Sequence, residues 1–108
     1  MEKCSKREIV KLDFPYTDGT GKKMRPALVL YRPSGQNVMV CQITSQERSS
    51  HGVILTSEDL EKGHLIKESY IICDIILTIH EKCIISKIGK IKQEKFNEVV
   101  KEIKTFLD

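Results

Sequence analysis

The sequence predicts a mostly antiparallel α+β domain, a small β-barrel with one amphipathic helix packed on it. Three observations lead there. Between positions 8 and 88 the apolar residues come in short runs separated by Gly, Pro, Ser and Asp, the pattern of strands and turns. After Gly89 they recur at three- and four-residue steps, the period of one helix face. The 108 residues are enough to bury a core without staples, and they read as a single domain, 1–108.

Each element follows from local chemistry. Val10, Leu12 and Phe14 alternate with Lys11 and Asp13, so residues 8–14 form a half-buried strand. Residues 17–23 are a loop, with Asp18-Gly19 and Gly21 supplying turn conformations. Residues 27–31 are continuously apolar and too short for a helix, which marks a central strand. Pro33, Ser34 and Gly35 turn the chain into a third strand, 38–43, completing a meander or hairpin. A polar loop, 44–50, precedes a short strand near 53–55. Residues 56–68 are irregular, with Thr56 or Ser57 placed to cap a single helical turn before Gly63. Residues 69–80 read as one long strand with Ile71, Cys73, Ile75, Leu77 and Ile79 on one face, unless a bulge swaps the faces partway. Residues 83–88 are a further short strand. In the last segment Phe96, Val99, Val100, Ile103, Phe106 and Leu107 line the apolar stripe, leaving Lys95, Glu98, Lys101 and Lys104 outward. That makes five or six strands and one helix.

Hydrophobic residues at 40% and charged ones at 31% exclude a disordered chain. Residues 1–48 hold nine Lys/Arg against five Asp/Glu, whereas 49–108 hold nine against ten. The basic excess therefore sits on the half that carries the glycine loop. It fits a modest polyanion-facing surface and falls short of a dedicated nucleic-acid coat. The cysteines at 4, 41, 73 and 83 form no C-x-x-C pair and no zinc spacing, and Cys41 and Cys73 lie in apolar runs as small hydrophobes. No segment has signal-peptide or membrane-span character, so a reducing cytoplasm is expected, with no membrane contact.

Three features bear on chemistry. Arg25 stands immediately before Pro26, which holds its backbone extended at the rim of the sheet. A guanidinium fixed there is a bidentate partner for a phosphate, or else an edge arginine paired with a carboxylate. Thr44, Ser45 and Gln46 end the third strand. Their hydroxyls either bond their own turn backbone or converge with Arg25, because the hairpin brings residues 25 and 44 to the same end. Asp74 interrupts an apolar run and must face solvent or meet a cation. His51, His64 and His80 match no metal or triad spacing, and GTGKK lacks full phosphate-loop spacing.

The order of these features resembles a known family. EIVKLDFPYTDGTGKKMRPALVLY, then VCQITSQ, then HLIKESYIICDIILTIH, then SKIGKI and a terminal helix are similar to the MazF/PemK toxins of type II toxin–antitoxin systems, over residues 7–107. The resemblance implies an SH3-like barrel and a homodimeric endoribonuclease that uses neither metal nor other cofactor. It places the catalytic centre at Arg25 and Thr44, with Ser45 a second hydroxyl. Asp74 falls where the PemK branch carries an acidic residue, although the arginine two residues earlier in that branch is Ile72 here. A glycine usual at the start of the first strand is Arg7, and the usual Asp of the turn after the long strand is His80. Residues 17–24 would be a flap over single-stranded RNA. Lys22, Lys23, Gln46, Arg48 and Thr78 are the expected RNA-binding positions.

The implied reaction is attack of the ribose 2′-hydroxyl on the adjacent phosphate, leaving a 2′,3′-cyclic phosphate. RNA supplies its own nucleophile, so no triad is needed. The implied partners are single-stranded RNA, a second copy of the chain, and an acidic antitoxin. Two other readings keep the fold: a non-catalytic RNA- or protein-binding module, and a toxin directed at DNA gyrase.

Overall fold

Among the described residues, seven strands join in one antiparallel sheet, curled into a half-barrel, with a single helix following the last strand. The computed structural model describes residues 4–14, 23–33, 35–46 and 50–108, with backbone alone at 14 and 23. The strands are β1 (Glu8–Phe14), β2 (Lys23–Tyr31), β3 (Asn37–Thr44), β4 (Gly52–Leu55), β5 (Leu60–Lys62), β6 (Ser69–His80) and β7 (Ile84–Ile91). The helix α1 spans Gln93–Leu107. Their order across the sheet is β4-β6-β3-β2-β1-β7-β5, so β1, β2 and β3 form the expected meander.

Period-two alternation sorts the central strands onto two faces. Ile9, Leu28, Leu30, Cys41 and Ile43 point to one side, where Phe96 and Val99 of α1 close over them. Val10, Leu12, Ala27, Val29, Val38 and Val40 point to the other and are also fully buried, joined by Cys4 and Ile84. A strand buried on both faces must be apolar at every position, which is why 27–30 shows no alternation. At the helix, the stripe continues through half-buried Val100, Ile103 and Phe106. His51, just before β4, fastens α1 further: its Nδ1 lies 2.8 Å from Glu102 Oε2, and its ring centroid is 4.6 Å from that of Phe106.

The structure corrects the sequence reading in four places. β5 is a seventh strand, too short to announce itself. It closes on β7 because Gly63 and Gly89 bring the two backbones together. A Cβ at Gly63 would stand 2.5 Å from the Ile88 carbonyl oxygen, and one at Gly89 2.6 Å from that of Lys62. β2 begins at Lys23 rather than at 27, so Arg25 and Pro26 are inside a strand. The proline is tolerated because residue 26 is paired only with Lys11 of β1, and the ladder to β3 starts at Ala27. β7 runs 84–91 rather than 83–88, and Cys83 belongs to the 3-10 turn Glu81–Cys83. Finally, β6 carries the bulge that swaps its faces. Gln42 pairs with Ile72 but Cys41 with Ile76, leaving residues 73–75 outside the ladder. Ile71 and Cys73 therefore join the helix-side core, while Leu77 and Ile79 pack on the opposite one, and Ile75 is exposed.

Two substitutions against the family pattern acquire physical accounts. Arg7 has φ +76°, a left-handed backbone that suits glycine. Its main chain is held there by bonds from its N–H to the Val29 carbonyl (3.0 Å) and from the Ile91 N–H to its own carbonyl (2.9 Å). Its guanidinium adds a bond to the Ile91 carbonyl (3.1 Å) and an ion pair with Glu61 (3.3 Å). His80 occupies the cap of the turn after β6. Its Nδ1 accepts from the Lys82 backbone N–H at 3.0 Å, which puts the ring proton on Nε2, 2.8 Å from Gln36 Oε1. An imidazole thus does what an aspartate cap would do. At the sheet margin, Lys95 Nζ of α1 donates to the Ile54 carbonyl of β4 at 3.1 Å. The ammonium also reaches Glu98 and Asp59.

Left-handed strain in a non-glycine residue costs roughly 1–2 kcal/mol. Arg7→Gly should therefore unfold in urea about 1 kcal/mol later than Arg7→Ala, which keeps the strain and loses the same side-chain bonds; equal midpoints would contradict the account. Removing a cap typically costs about 1 kcal/mol. His80→Ala should lose that much in thermal or urea unfolding, and His80→Asp should retain most of it.

Candidate nucleic-acid interface

Strand registers place the sequence-predicted residues on a common grid. Leu12 of β1 lies opposite Arg25 of β2, so both side chains emerge on the side away from α1. Ala27 lies opposite Gln42 of β3, and the same register carried two residues further sets Arg25 across from Thr44, the last residue of its strand. Thr44 in turn pairs with Tyr70 of β6, and Tyr70 with Ile54 of β4. Arg25, Thr44, Tyr70 and Ile54 therefore form one transverse row across four strands, on the face opposite the helix. Adjacent strands stand about 4.8 Å apart, so each step along the row is one strand spacing.

The chemistry of the row is uneven. Arg25 is half-buried, and among the described residues no hydrogen bond or ion pair engages its guanidinium. Thr44 is half-buried, and its Oγ1 accepts the Gln46 backbone N–H at 3.2 Å. That is the local turn bond expected of such a residue, and it also orients the hydroxyl. A hydroxyl has one proton and two lone pairs, so accepting from Gln46 leaves the proton to be donated elsewhere. Ser45 and Gln46 are exposed just beyond the strand end. Lys23 begins β2 opposite Phe14. Lys22 and Arg48, and the proposed flap up to residue 22, lie outside the described residues.

Two expected positions fall elsewhere. Asp74 sits in the β6 bulge, exposed and engaged by an interaction of its own. It lies beyond Ile72 along β6 and does not stand in the row. Ile72, where the related branch has arginine, is 1% exposed and opposes Gln42 and Gly52 on the Arg25 side, so the floor beside Asp74 is apolar. Thr78 is exposed opposite Met39, on the sheet face that carries α1. It is not brought to the Arg25–Thr44 row. The bulge is the reason: it reverses facing along β6 before residue 78. Tyr70 is what sequence reasoning missed; its membership of the row is legible only once the bulge is located.

The core beneath the bulge contains two thiols of altered acidity. Burial pushes Cys41 up to about 12, with the neighbouring Cys73 and Asp74 adding to the effect. Burial likewise pushes Cys73 up to about 12, helped by Glu102, Asp74 and Glu98. Neither thiol is a nucleophile at neutral pH.

The residue pattern and this geometry have a counterpart among known proteins. A family model described as PemK-like, MazF-like toxin of type II toxin–antitoxin system matches residues 5–107. The chain belongs to this family. The Mycobacterium tuberculosis toxin MazF-mt6 superposes with a TM-score of 0.74 at 25% identity, covering 94% of this chain and 97% of that one. A mycobacterial endoribonuclease in complex with its cognate antitoxin gives 0.77 at 15% identity, over 97% and 95% of the two chains. The MazE–MazF structure of Deinococcus radiodurans gives 0.75 at 20% identity, over 96% and 95%. No curated protein sequence matches significantly. Among the described residues, no helix of this MazF/PemK-family toxin is long and apolar enough to cross a membrane.

The raised thiols have a pH consequence. A group whose folded pKa lies above its unfolded value stabilises fully below the unfolded value and loses that contribution as pH rises toward the folded one. For Cys41 and Cys73 the window runs from about pH 9 to about pH 12. The urea midpoint of the wild type should fall between pH 8 and pH 10.5 more steeply than that of Cys73→Ala, the other alkaline groups being common to both. Parallel declines would refute the assignment.

Proposed function

We propose that this chain is the toxin of a type II pair acting as a metal-independent endoribonuclease on single-stranded RNA, and that it arrests growth by cutting messages. Membership of the toxin family supports this, as do the mycobacterial relatives of the same fold that are themselves endoribonucleases. The observation that carries the reading is the Arg25–Thr44 step of the transverse row. A permanent cation with no protein partner among the described residues stands one strand from a hydroxyl whose proton is available.

In the proposed mechanism the scissile phosphate bridges that step. The ribose 2′-hydroxyl attacks phosphorus, the 5′-oxygen leaves, and a 2′,3′-cyclic phosphate and a 5′-hydroxyl end remain. Charge builds on the non-bridging oxygens as the fifth bond forms. Arg25 answers it with two parallel N–H donors, and Thr44 and Ser45 answer it with hydroxyls. Arginine stays protonated at any physiological pH, so its role is electrostatic and not that of a base. Asp74, in the β6 bulge, is the proposed acid/base or RNA contact. Lys22, Lys23, Gln46 and Arg48 are proposed to hold the flanking strand, which makes binding weaken with salt. Thr78, on the helix face, is dropped from this set.

A second copy of the chain and an acidic antitoxin are the proposed protein partners. Support for the antitoxin comes from the mycobacterial endoribonuclease bound to its antitoxin and from the Deinococcus MazE–MazF structures.

The decisive experiment incubates the protein with long single-stranded RNA in EDTA and maps the ends. Cleavage leaving cyclic-phosphate and 5′-hydroxyl termini is expected. Loss of one such donor costs about 100- to 1,000-fold in rate, and Arg25→Ala should show at least that. Activity abolished by EDTA, or retained in full by Arg25→Ala, would overturn the mechanism. RNA bound but uncut would favour a binding module. Trapped gyrase–DNA breaks with intact RNA would favour the gyrase-directed reading.

A further inference from the structure

The transverse row does not end at the catalytic step. One strand beyond Thr44 lies Tyr70, and one strand beyond that Ile54. All three side chains share the face opposite α1, because directly opposed residues in antiparallel strands point the same way. Ile54 is 50% exposed. Tyr70 is half-buried, and among the described residues its hydroxyl has no hydrogen-bond partner. A buried phenol normally finds a partner, so a ring left half in the open without one stands ready for contact. On one side along β6 the row is bordered on the same face by buried Ile72, which opposes Gly52.

We propose that Tyr70, backed by Ile54, is a base-stacking platform for the nucleotide flanking the scissile phosphate, and so a determinant of substrate binding and sequence preference. This rests on the ribonuclease reading of Arg25 and Thr44. The physical argument is one of position. A phosphate gripped between β2 and β3 leaves the neighbouring ribose and base to continue along the row. The next surface they meet, about 4.8 Å further on, is the β6 side chain. Single-stranded RNA is recognised through unstacked bases laid on aromatic faces, and Tyr70 is the one aromatic in the row. Ile54 extends the apolar surface under the far edge of the base. Arg25 and Tyr70 then divide the work: charge at one end of the row, a π face at the other. The ring and not the hydroxyl carries the effect, which separates this role from hydrogen-bonded readout.

The test begins with the wild-type protein cleaving all-ribose RNA in EDTA, and with its cut site mapped. Failure there removes the ribonuclease reading itself. Binding is then measured by fluorescence anisotropy on a short labelled RNA carrying a 2′-deoxy sugar at the cut nucleotide, which has no nucleophile. Tyr70→Ala should weaken binding at least tenfold, and Tyr70→Phe should stay within twofold of wild type. An abasic nucleotide is placed in turn at each position flanking the cut. One such position should reproduce the tenfold loss on wild type and cost nothing further on Tyr70→Ala, the non-additivity of two halves of one contact. Because the abasic arm alters RNA and not protein, the result does not depend on Tyr70→Ala folding as well as wild type. Losses that multiply at every flanking position would overturn the platform. So would a Tyr70→Ala protein that binds RNA normally while losing self-association by sedimentation, since the surface would then belong to a second copy.

Discussion

The pairing of β2 with β3 is the constraint on which the rest depends. Ala27 against Gln42, Leu28 against Cys41 and Val29 against Val40 lock a strand that is buried on both sides. A slip of one residue would turn Leu28 and Cys41 out of the helix-side core and carry every neighbour to the wrong face. The apolar contents of two cores oppose that slip. Arg25 and Thr44, just beyond that locked stretch, are thereby kept on the same face and at the same end of the hairpin. The proline next to Arg25 contributes by what it lacks. With no N–H to offer, residue 26 does not extend the β3 ladder, and the flank of β2 beside Arg25 is left open.

The departures from the family pattern turn out to be of two kinds. Arg7 and His80 are structural replacements in which a larger side chain does a local task. The arginine tolerates a left-handed backbone because four bonds surround it, and the histidine accepts the turn N–H that a carboxylate would accept. Ile72 is different. It replaces a cation by a fully buried hydrocarbon directly in the site-side floor, so the electrostatics around Asp74 differ from those of an Arg–Asp pair. In the proposed ribonuclease, substrate contacts would rest more on Arg25 and on the apolar and aromatic character of the row.

Much of this was legible in the sequence where periodicity is strong. β1 and β6 have the bounds that alternation and the apolar run predicted, and α1 follows its three- and four-residue stripe through Phe106, with Leu107 exposed instead of packed. The start of β2 was hidden because Lys23, Met24, Arg25 and Pro26 carry neither alternation nor an apolar run; pairing with β1 alone makes them a strand. β5 was hidden by its three residues, and its closeness to β7 by glycines that look like ordinary turn formers. That residues 25 and 44 lie toward the same end of the β2–β3 hairpin could be anticipated from hairpin logic. The composition of the remainder of the row could not. It depends on where β6 bulges, and Cys73-Asp74-Ile75 contains no glycine or proline to mark the spot. The same hidden bulge sent Thr78 to the helix face and brought Tyr70 into the row.

A half-barrel, unlike a closed one, ends in exposed strand margins, and β4 is one of the two. Its outward carbonyl at Ile54 is already taken by the ammonium of Lys95, which is itself tied to two carboxylates. An incoming extended chain would have to displace that triple anchor before it could add itself to the row of backbone bonds. The lysine of α1 thus raises the cost of adding another strand at that margin, and it does so without occupying the face that carries Arg25.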